Sequence, residues 1–536
     1  MSLFAEWTPD DWLFIGVAAG LYWMLTILIS NSKLMKDHGI TTWGPVIFVR
    51  TVRGLRLLDR LARPKRLWRM VATAGVPLVV LSMTYFLVLL LLMSYLMIRS
   101  PPVPSSYNAP RNILLIPGVN QYIPFAWGWI ALFVTLLVHE FAHGILARVE
   151  GIKVKSMGLA FLAAPIAAFV EPDDEELFGT AQKPAIATRS ARVRILSAGV
   201  ISNFLVAAIA IALFFGPVIG AISPMDRIVV ADVQNGSAGD IAGFNQSMII
   251  LKAGGTGVDN LDRLYGALAG RSSELVVLKD DNELTLPLRG DPVRGILIVS
   301  VFEDSPADKS GLPSRFVIWG IDGKQIVNVD DFRMRMNSTV PGQNITLSTN
   351  HGDYVVKLAS KPDGTSLIGI GIAGNVVYSG GVTFQEFPAK QFISGLGQLP
   401  GQGVNTFLTA FLAMPFAGIG GLTSGGFQGF SGWIGNFFEP SGWAAPLGSH
   451  FFWIANALFW IGWINLYAGL FNCLPAVPLD GGHIFRDLIQ GGLEKVVNVK
   501  RAERLTRTVV SIFAWVIFTS LIISVMAPYL AHGLPI

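Results

Sequence analysis

The chain has 536 residues, of which 52% are hydrophobic and only 14% are charged, and its mean hydropathy is +0.52. This composition excludes an ordinary soluble globular domain and indicates several membrane spans with an added soluble part. The net charge of +4 is too small to indicate a nucleic-acid partner, and the single cysteine, Cys473, excludes internal disulfides and a four-cysteine zinc site.

Six apolar stretches are each long enough to cross a bilayer core of about 30 Å as a helix. They lie at 11–30, 73–98, 122–149, 195–219, 451–478 and 508–530. Lys and Arg concentrate in three connecting loops, at 31–70, 150–194 and 482–507. The positive-inside rule places these loops in the cytoplasm, so both termini and the interval 220–450 are expected outside. A further apolar segment at 407–422 is short and contains Pro415, which predicts a re-entrant or surface helix.

A pair of histidines and a glutamate lie inside the third apolar stretch, in the sequence VHEFAHG. His139 and His143 are four residues apart, so on a helix they share one face and can bind one metal ion, and Glu140 can reach water at that ion. Ionisable groups inside a membrane are costly and indicate function. The alternatives are a hydrogen-bonded histidine pair in a helix bundle or a structural polar cluster.

A catalytic zinc ion needs a third protein ligand and one open position. The candidate is Asp480 in FNCLPAVPLDGGH, where Pro475 and Pro478 are expected to interrupt the fifth span beside a cavity. His139 lies about 10 residues, or roughly 15 Å, from the inner end of its helix, so the two motifs can meet in the cytoplasmic half of the membrane. The alternative is that Asp480 is only a turn residue.

The interval 222–385 consists of short alternating strands, turn dipeptides and most of the mid-chain charge. It repeats at an offset of 68 residues, which aligns Ser237 with Ser305 and predicts two tandem β-rich domains. Valines before Ser-Pro-Ala, then Gly-Leu, a strand and Asp-Gly resemble PDZ domains, which bind peptides by adding a strand to a sheet edge. The resemblance implies that Arg294, Gly295 and Ile296 form a carboxylate-binding loop in the second copy. The alternative is a pair of domains that act only as plugs or spacers.

HEFAHG in one span, NxxPxxPLDGG in a later span and PDZ-like repeats between them resemble the site-2 protease family of intramembrane zinc metalloproteases, over about 120–485 and the final span. The resemblance implies that His139, His143 and Asp480 bind one Zn²⁺ ion. It also implies that Glu140 activates the zinc-bound water.

Two asparagines and one short segment are further candidates from the same resemblance. AGVISNFLVAA at 198–208 resembles the family's Gly-x-x-x-Asn helix, which makes Asn203, together with Asn472, a candidate substrate or oxyanion contact. The alternative is a buried asparagine that only ties helices together. The segment 156–176 resembles the family's re-entrant β segment, whose edge would receive an unwound substrate strand.

These observations predict a polytopic α-helical membrane protein of about six spans, with a re-entrant β segment and two inserted extracytoplasmic PDZ-like domains. The predicted regions are an N-terminal two-span region with a basic cytoplasmic loop (1–120), a first part of the protease core (121–220), two PDZ-like domains (222–292 and 293–385), a Gly-rich amphipathic or re-entrant segment (386–450) and a second part of the core (451–536).

The implied function is a multi-pass zinc endopeptidase of the cell membrane that cleaves transmembrane segments of membrane-anchored proteins in regulated intramembrane proteolysis. Peptide C-termini or extended segments are expected at the PDZ-like domains, and no nucleic acid. One alternative is a non-proteolytic metal-binding scaffold or a transporter, although the spans lack the paired broken helices of many transporters. Another is a zincin of the CAAX-processing type, which commonly takes a downstream glutamate as its third ligand.

Overall fold

The computed structural model describes residues 9–104, 109–112, 115–162, 164–180, 183–270, 274–279, 282–416 and 426–533. The chain forms two compact units. The first comprises Met1–Leu213 and Ala457–Ile536, and the second comprises Phe214–Asn456.

The described α-helices are α1 (Pro9–Asn31), α2 (Lys33–Asp37), α3 (Leu55–Leu61), α4 (Lys65–Arg99), α5 (Phe125–Glu150), α6 (Asp174–Phe178), α7 (Arg189–Leu213), α8 (Ala238–Ile241), α9 (Leu261–Ala269), α10 (Pro306–Lys309), α11 (Val329–Asn337), α12 (Ala389–Gln398), α13 (Val404–Ala413), α14 (His450–Asn472), α15 (Asp480–Leu493) and α16 (Val499–His532). The described strands are β1 (Ile40–Trp43), β2 (Val46–Thr51), β3 (Val154–Leu162), β4 (Ala164–Pro172), β5 (Ile222–Pro224), β6 (Ile228–Val233), β7 (Ile249–Ala253), β8 (Thr256–Gly257), β9 (Glu274–Lys279), β10 (Asn282–Pro287), β11 (Val293–Val301), β12 (Phe316–Ile321), β13 (Lys324–Gln325), β14 (Asn344–Thr349), β15 (Gly352–Lys357), β16 (Ala359–Ser360), β17 (Ser366–Leu367), β18 (Ile370–Ser379), β19 (Val382–Glu386) and β20 (Phe438–Pro440).

Five of the described helices are long and apolar enough to cross a membrane. They are α4, α5, α14, α16 and α7 with the turns that continue it to Ala221. All five fall on predicted spans, and α14 ends at Asn472, before the expected interruption at Pro475. In α1, the first predicted span, the described apolar stretch runs from Gly16 to Asn31, so the count of six and the orientation of the spans remain predictions.

The segment that resembles a re-entrant β element forms a β-hairpin, β3–β4, in the first unit. A second hairpin, β1–β2, extends it into a sheet of order β1-β2-β3-β4 within the part of the chain that the structure describes. The basic loop 31–70 therefore contributes strands that the sequence analysis did not predict. Gly158 permits the close pairing, because a Cβ there would collide with the backbone carbonyl of Val49.

Ion pairs fix helix α7 against its neighbours in the first unit. Arg192 makes a bidentate pair with the buried carboxylate of Asp487 on α15, at 2.8 and 3.0 Å. Arg194 donates to Glu150 at the end of α5, at 2.9 Å. Separating the partners of a buried pair would leave an uncompensated charge, which is costly. These contacts therefore hold α7 in place between α5 and α15.

The two predicted repeats of the second unit contain the same elements in the same order. Helix α9 of the first copy and α11 of the second begin after Asn260 and Asn328, which are 68 residues apart, and each asparagine side chain accepts a backbone N–H of its helix. Each copy has a separate buried core, around Phe244 in the first and Phe316 in the second. The PDZ identity of these copies remains a prediction from resemblance.

The hairpin β18–β19 joins the two copies into one continuous sheet. The main strand order is β10-β9-β7-β6-β19-β18-β11-β12-β14-β15. Strand β19 pairs with β6 of the first copy, and β18 pairs with β11 of the second. Val382 and Phe384 of β19 lie in the core of the first copy, so that copy is completed by residues beyond its predicted boundary of 222–292.

The predicted Gly-rich segment at 386–450 contains short helices and an aromatic cluster. Phe387, Phe392 and Phe438 contact one another with ring centroids 6.0 to 6.2 Å apart. Helix α13 has ten residues, or about 15 Å, which is too short to cross a bilayer. The end of the predicted helix at 407–422 lies outside the described residues from 417 onward.

Candidate metal centre

The three predicted metal ligands converge within the first unit. His139 Nε2 lies 3.1 Å from Asp480 Oδ2, His143 Nε2 lies 3.3 Å from the same oxygen, and the two Nε2 atoms are 3.1 Å apart. Zinc with ligand bonds of about 2.0–2.2 Å and tetrahedral angles separates its ligand atoms by roughly 3.3–3.5 Å. The triangle therefore has nearly the dimensions of one face of a zinc tetrahedron.

The hydrogen bond on the far side of His143 orients this imidazole toward the triangle. Its Nδ1 lies 2.7 Å from the carbonyl oxygen of Ile195 on α7. A carbonyl only accepts, so Nδ1 carries the proton and Nε2 presents its lone pair to Asp480 Oδ2. That carboxylate oxygen is buried and has no hydrogen-bond donor in the described part of the chain. A cation between these electron-rich atoms would relieve their mutual repulsion, so the donor set fits a metal ion.

Three glycines, one on α7 and two at the start of α15, allow the three helices to approach this point. A Cβ on Gly199 of α7 would lie 2.6 Å from His139 Cε1 and 2.7 Å from His139 Nε2, and would also collide with His143 Nε2. At the start of α15, a Cβ on Gly481 would lie 2.6 Å from Leu474 O, and one on Gly482 would lie 2.6 Å from Ala476 O. The glycines of LDGG thus let Asp480 sit against the preceding turn.

Glu140 is held beside the triangle by the β-hairpin. Its Oε2 accepts the backbone N–H of Val170 on β4 at 3.0 Å, and the residue is half-buried. This contact uses one of the two carboxylate oxygens of Glu140. Glu140 lies next to His139 in the chain, as expected of a base that acts on water at the metal.

Asn203 contacts a predicted ligand instead of an open surface. It is fully buried on α7, and its side-chain amide lies 3.1 Å from His139 Nδ1. Asn472, by contrast, is the last residue of α14 and lines an apolar cavity of about 610 Å³ with Phe471 and Phe518. The described contacts do not bring Asn472 to the triangle.

Gly295 and Ile296 do not form the predicted carboxylate-binding loop. Both residues lie inside β11, where Ile296 pairs with Ile318 on one side and with Asn375 on the other. Ile296 is fully buried, and a Cβ on Gly295 would collide with Ile318 O. Because β18 fills the edge that the local sequence left open, no peptide strand can add there.

Two residues of the site act through their backbone and were missed by the sequence analysis. The carbonyl of Ile195 orients His143, and the N–H of Val170 holds Glu140. Every residue type carries these groups, so neither position has a side-chain signal. The pattern of Gly199 and Asn203 was recognisable, although it indicated a substrate contact and not a contact with His139.

Comparisons with known proteins match this part of the chain. The model of peptidase family M50 matches residues 127–518. An uncharacterized protein of Methanocaldococcus jannaschii is 32% identical over 191 residues, which are 35% of this chain and 47% of that protein. A protein of Clostridium perfringens provisionally named as a zinc metalloprotease is 26% identical over 207 residues, or 38% and 56% of the two chains. Protease RseP of Yersinia pestis is 26% identical over 411 residues, or 66% and 88%.

The matches to the first two relatives span about half of their length, 47% and 56%. The family match is longer, since it covers more than half of this chain and includes both the HExxH helix and the LDGG helix. The chain therefore belongs to peptidase family M50, the site-2 protease family.

Proposed function

We propose that the protein is an intramembrane zinc endopeptidase that cleaves transmembrane segments of membrane-anchored proteins. The observation that carries the proposal is the triangle of His139, His143 and Asp480 with Glu140 beside it. Three protein ligands leave the fourth position of a tetrahedral zinc ion for a reactant. The helices that supply the histidines and flank them are long and apolar enough to cross a membrane.

Zinc held by His139, His143 and Asp480 would polarise the scissile carbonyl and lower the pKa of a water molecule at the site. Glu140 takes one proton from that water on its free carboxylate oxygen while the water oxygen bonds to the carbonyl carbon. The carbon–nitrogen bond then breaks as Glu140 returns the proton to the leaving amine. The products are a new carboxyl terminus and a new amino terminus.

Strand β4 supports binding of the substrate in an extended form. Helical peptide bonds are shielded by their own hydrogen bonds, so a transmembrane segment must unwind before it is cut. Among the described residues β4 is the end strand of its sheet, and the N–H of Val170 on β4 donates to Glu140. A substrate strand that adds to this edge runs beside the general base.

Peptides that bind to the second unit need a site other than the predicted loop at Gly295 and Ile296. A cavity of about 690 Å³ lies between the two copies and is lined by Arg227, Arg294 and Lys390 together with acidic side chains. Arg294 of the second copy donates to Asp262 of the first at 2.8 Å. We propose that peptide segments of substrates bind in this polar cavity. We also propose that the second unit lies outside the cell and that the metal centre lies in the cytoplasmic half of the bilayer.

The test measures zinc content and cleavage on the purified full chain. Glu140→Gln keeps the size of the side chain but removes the base, so we expect zinc content to stay at one ion and cleavage of a membrane-anchored test protein to fall by about 10²–10⁴-fold. Asp480→Asn weakens the metal site and is expected to lose zinc and cleavage together. Glu503→Gln is the control, because Glu503 is an exposed residue of α16 that pairs with Arg507.

Continued cleavage by Glu140→Gln would refute the proposed mechanism. Zinc binding by the wild-type chain without any zinc-dependent cleavage would favour the metal-binding scaffold or the transporter.

A further inference from the structure

Asn203 occupies a position that substrate binding does not explain. The residue has no exposed surface, so a substrate cannot reach its amide without a rearrangement of α7. The polar group in contact with it is Nδ1 of His139, at 3.1 Å. This is the ring nitrogen that faces away from Asp480.

The chemistry of the imidazole fixes what Asn203 must offer when metal is bound. A histidine that binds zinc through Nε2 carries its proton on Nδ1, which then can only donate. A primary amide presents either its oxygen or its NH₂ group after a half-turn about its terminal bond. The bound form therefore needs the side-chain oxygen of Asn203 as the acceptor for His139 Nδ1–H.

Helix α7 makes a matching contact with the second histidine. Ile195, Gly199 and Asn203 follow one another at intervals of four residues, so they share one face of α7. The carbonyl of Ile195 meets His143, Asn203 meets His139, and Gly199 leaves room for both rings. One helix face thus sets the orientation of both imidazoles of α5.

We propose that Asn203 is a positioning residue of the metal centre: its side-chain oxygen accepts a hydrogen bond from His139 Nδ1–H and holds Nε2 free for zinc. The inference rests on the proposed function in so far as zinc is the bound ion. It replaces the predicted substrate contact with a role in metal affinity.

The test compares Asn203→Leu and Asn203→Asp in the full chain, with zinc affinity measured by chelator competition and Co²⁺ binding followed by visible absorption. Leucine has a similar size but no acceptor, so we expect zinc affinity to fall by about 10–100-fold and the Co²⁺ spectrum to change. The aspartate oxygens accept from Nδ1–H, so this variant is expected to stay within a few-fold of wild-type affinity. Asn465→Leu is the matched control, since Asn465 is also fully buried in an apolar helix but donates to Ile461 O on its own helix.

Wild-type zinc affinity and Co²⁺ spectrum in Asn203→Leu, with reduced cleavage, would overturn the proposal in favour of a substrate contact. If the leucine variant does not fold, the aspartate variant still decides between the two hydrogen-bonding roles, because a role as an NH₂ donor predicts loss of zinc from it. Failure of the proposed function is a separate outcome, in which the wild-type chain itself binds no zinc or shows no cleavage.

Discussion

Gly199 is the position where the smallest substitution should disturb the metal centre most. A Cβ in Gly199→Ala would lie 2.6 and 2.7 Å from two ring atoms of His139. Restoring a carbon contact of about 3.5 Å requires α7 and the rings to separate by about 0.8 Å. Two hydrogen bonds would then lengthen beyond hydrogen-bonding range. They are the bond from His143 Nδ1 to Ile195 O, now 2.7 Å, and the bond between Asn203 and His139, now 3.1 Å.

The expected result is a loss of metal affinity that exceeds the loss of stability. Overpacking of this size costs about 1–3 kcal/mol, whereas removing the partners of metal-bound histidines lowers metal affinity by about 10–100-fold. The assay is chelator competition for zinc on the purified full chain, with thermal unfolding measured in parallel. Gly20→Ala on α1 is the control, because the added Cβ has open space among the described residues and alanine favours the helix. Wild-type zinc affinity in Gly199→Ala would refute the reasoning.

Three further predictions concern the scaffold and the metal. Arg192→Met leaves the buried carboxylate of Asp487 uncompensated and should destabilise the first unit by about 3–5 kcal/mol. The double variant Arg192→Met with Asp487→Leu should recover most of this stability in thermal unfolding. Equal stability of the single and double variants would contradict this prediction. Gly381→Ala should destabilise the second unit, because Gly381 has φ +87° and its Cβ would collide with Ser237, whereas Gly395→Ala has open space and should not; equal protease resistance of the two variants would contradict this. Zinc at about 1,000 times its dissociation constant should add about 4 kcal/mol of stability to the folded chain. A chelator should therefore lower the unfolding temperature of the wild-type chain but not that of Asp480→Asn. An equal shift in both would exclude Asp480 as a ligand.

The side chains of the candidate metal centre were predictable because the residue types themselves are those that bind metal ions. Two histidines four residues apart in an apolar helix and an acid in LDGG are unusual in a membrane span, and the structure brings His139, His143 and Asp480 together. The contributions of Val170 and Ile195 were not predictable, since these residues act through backbone groups common to all positions.

Pairing between distant segments accounts for the other differences. The internal repeat indicated two similar β-rich copies, but Gly295 and Ile296 looked like an open loop because the sequence around them does not reveal β18 as a neighbour. In the same way, β2 pairs with β3 across more than 100 residues of chain, from Ile47 to Phe161, so the basic loop gave no sign of its strands. Local patterns report which segments can be strands, and the partners of those strands depend on the whole fold.

The most direct test of the central claim is the position and zinc dependence of the cut in a membrane-anchored substrate. The purified chain, reconstituted in lipid, would be incubated with a single-span test protein, and the products would be identified by mass spectrometry. We predict a cut within the transmembrane segment that stops when zinc is removed by a chelator, returns when zinc is restored and is absent in Glu140→Gln. A cut confined to the soluble part of the substrate, or one that persists without zinc, would contradict the account.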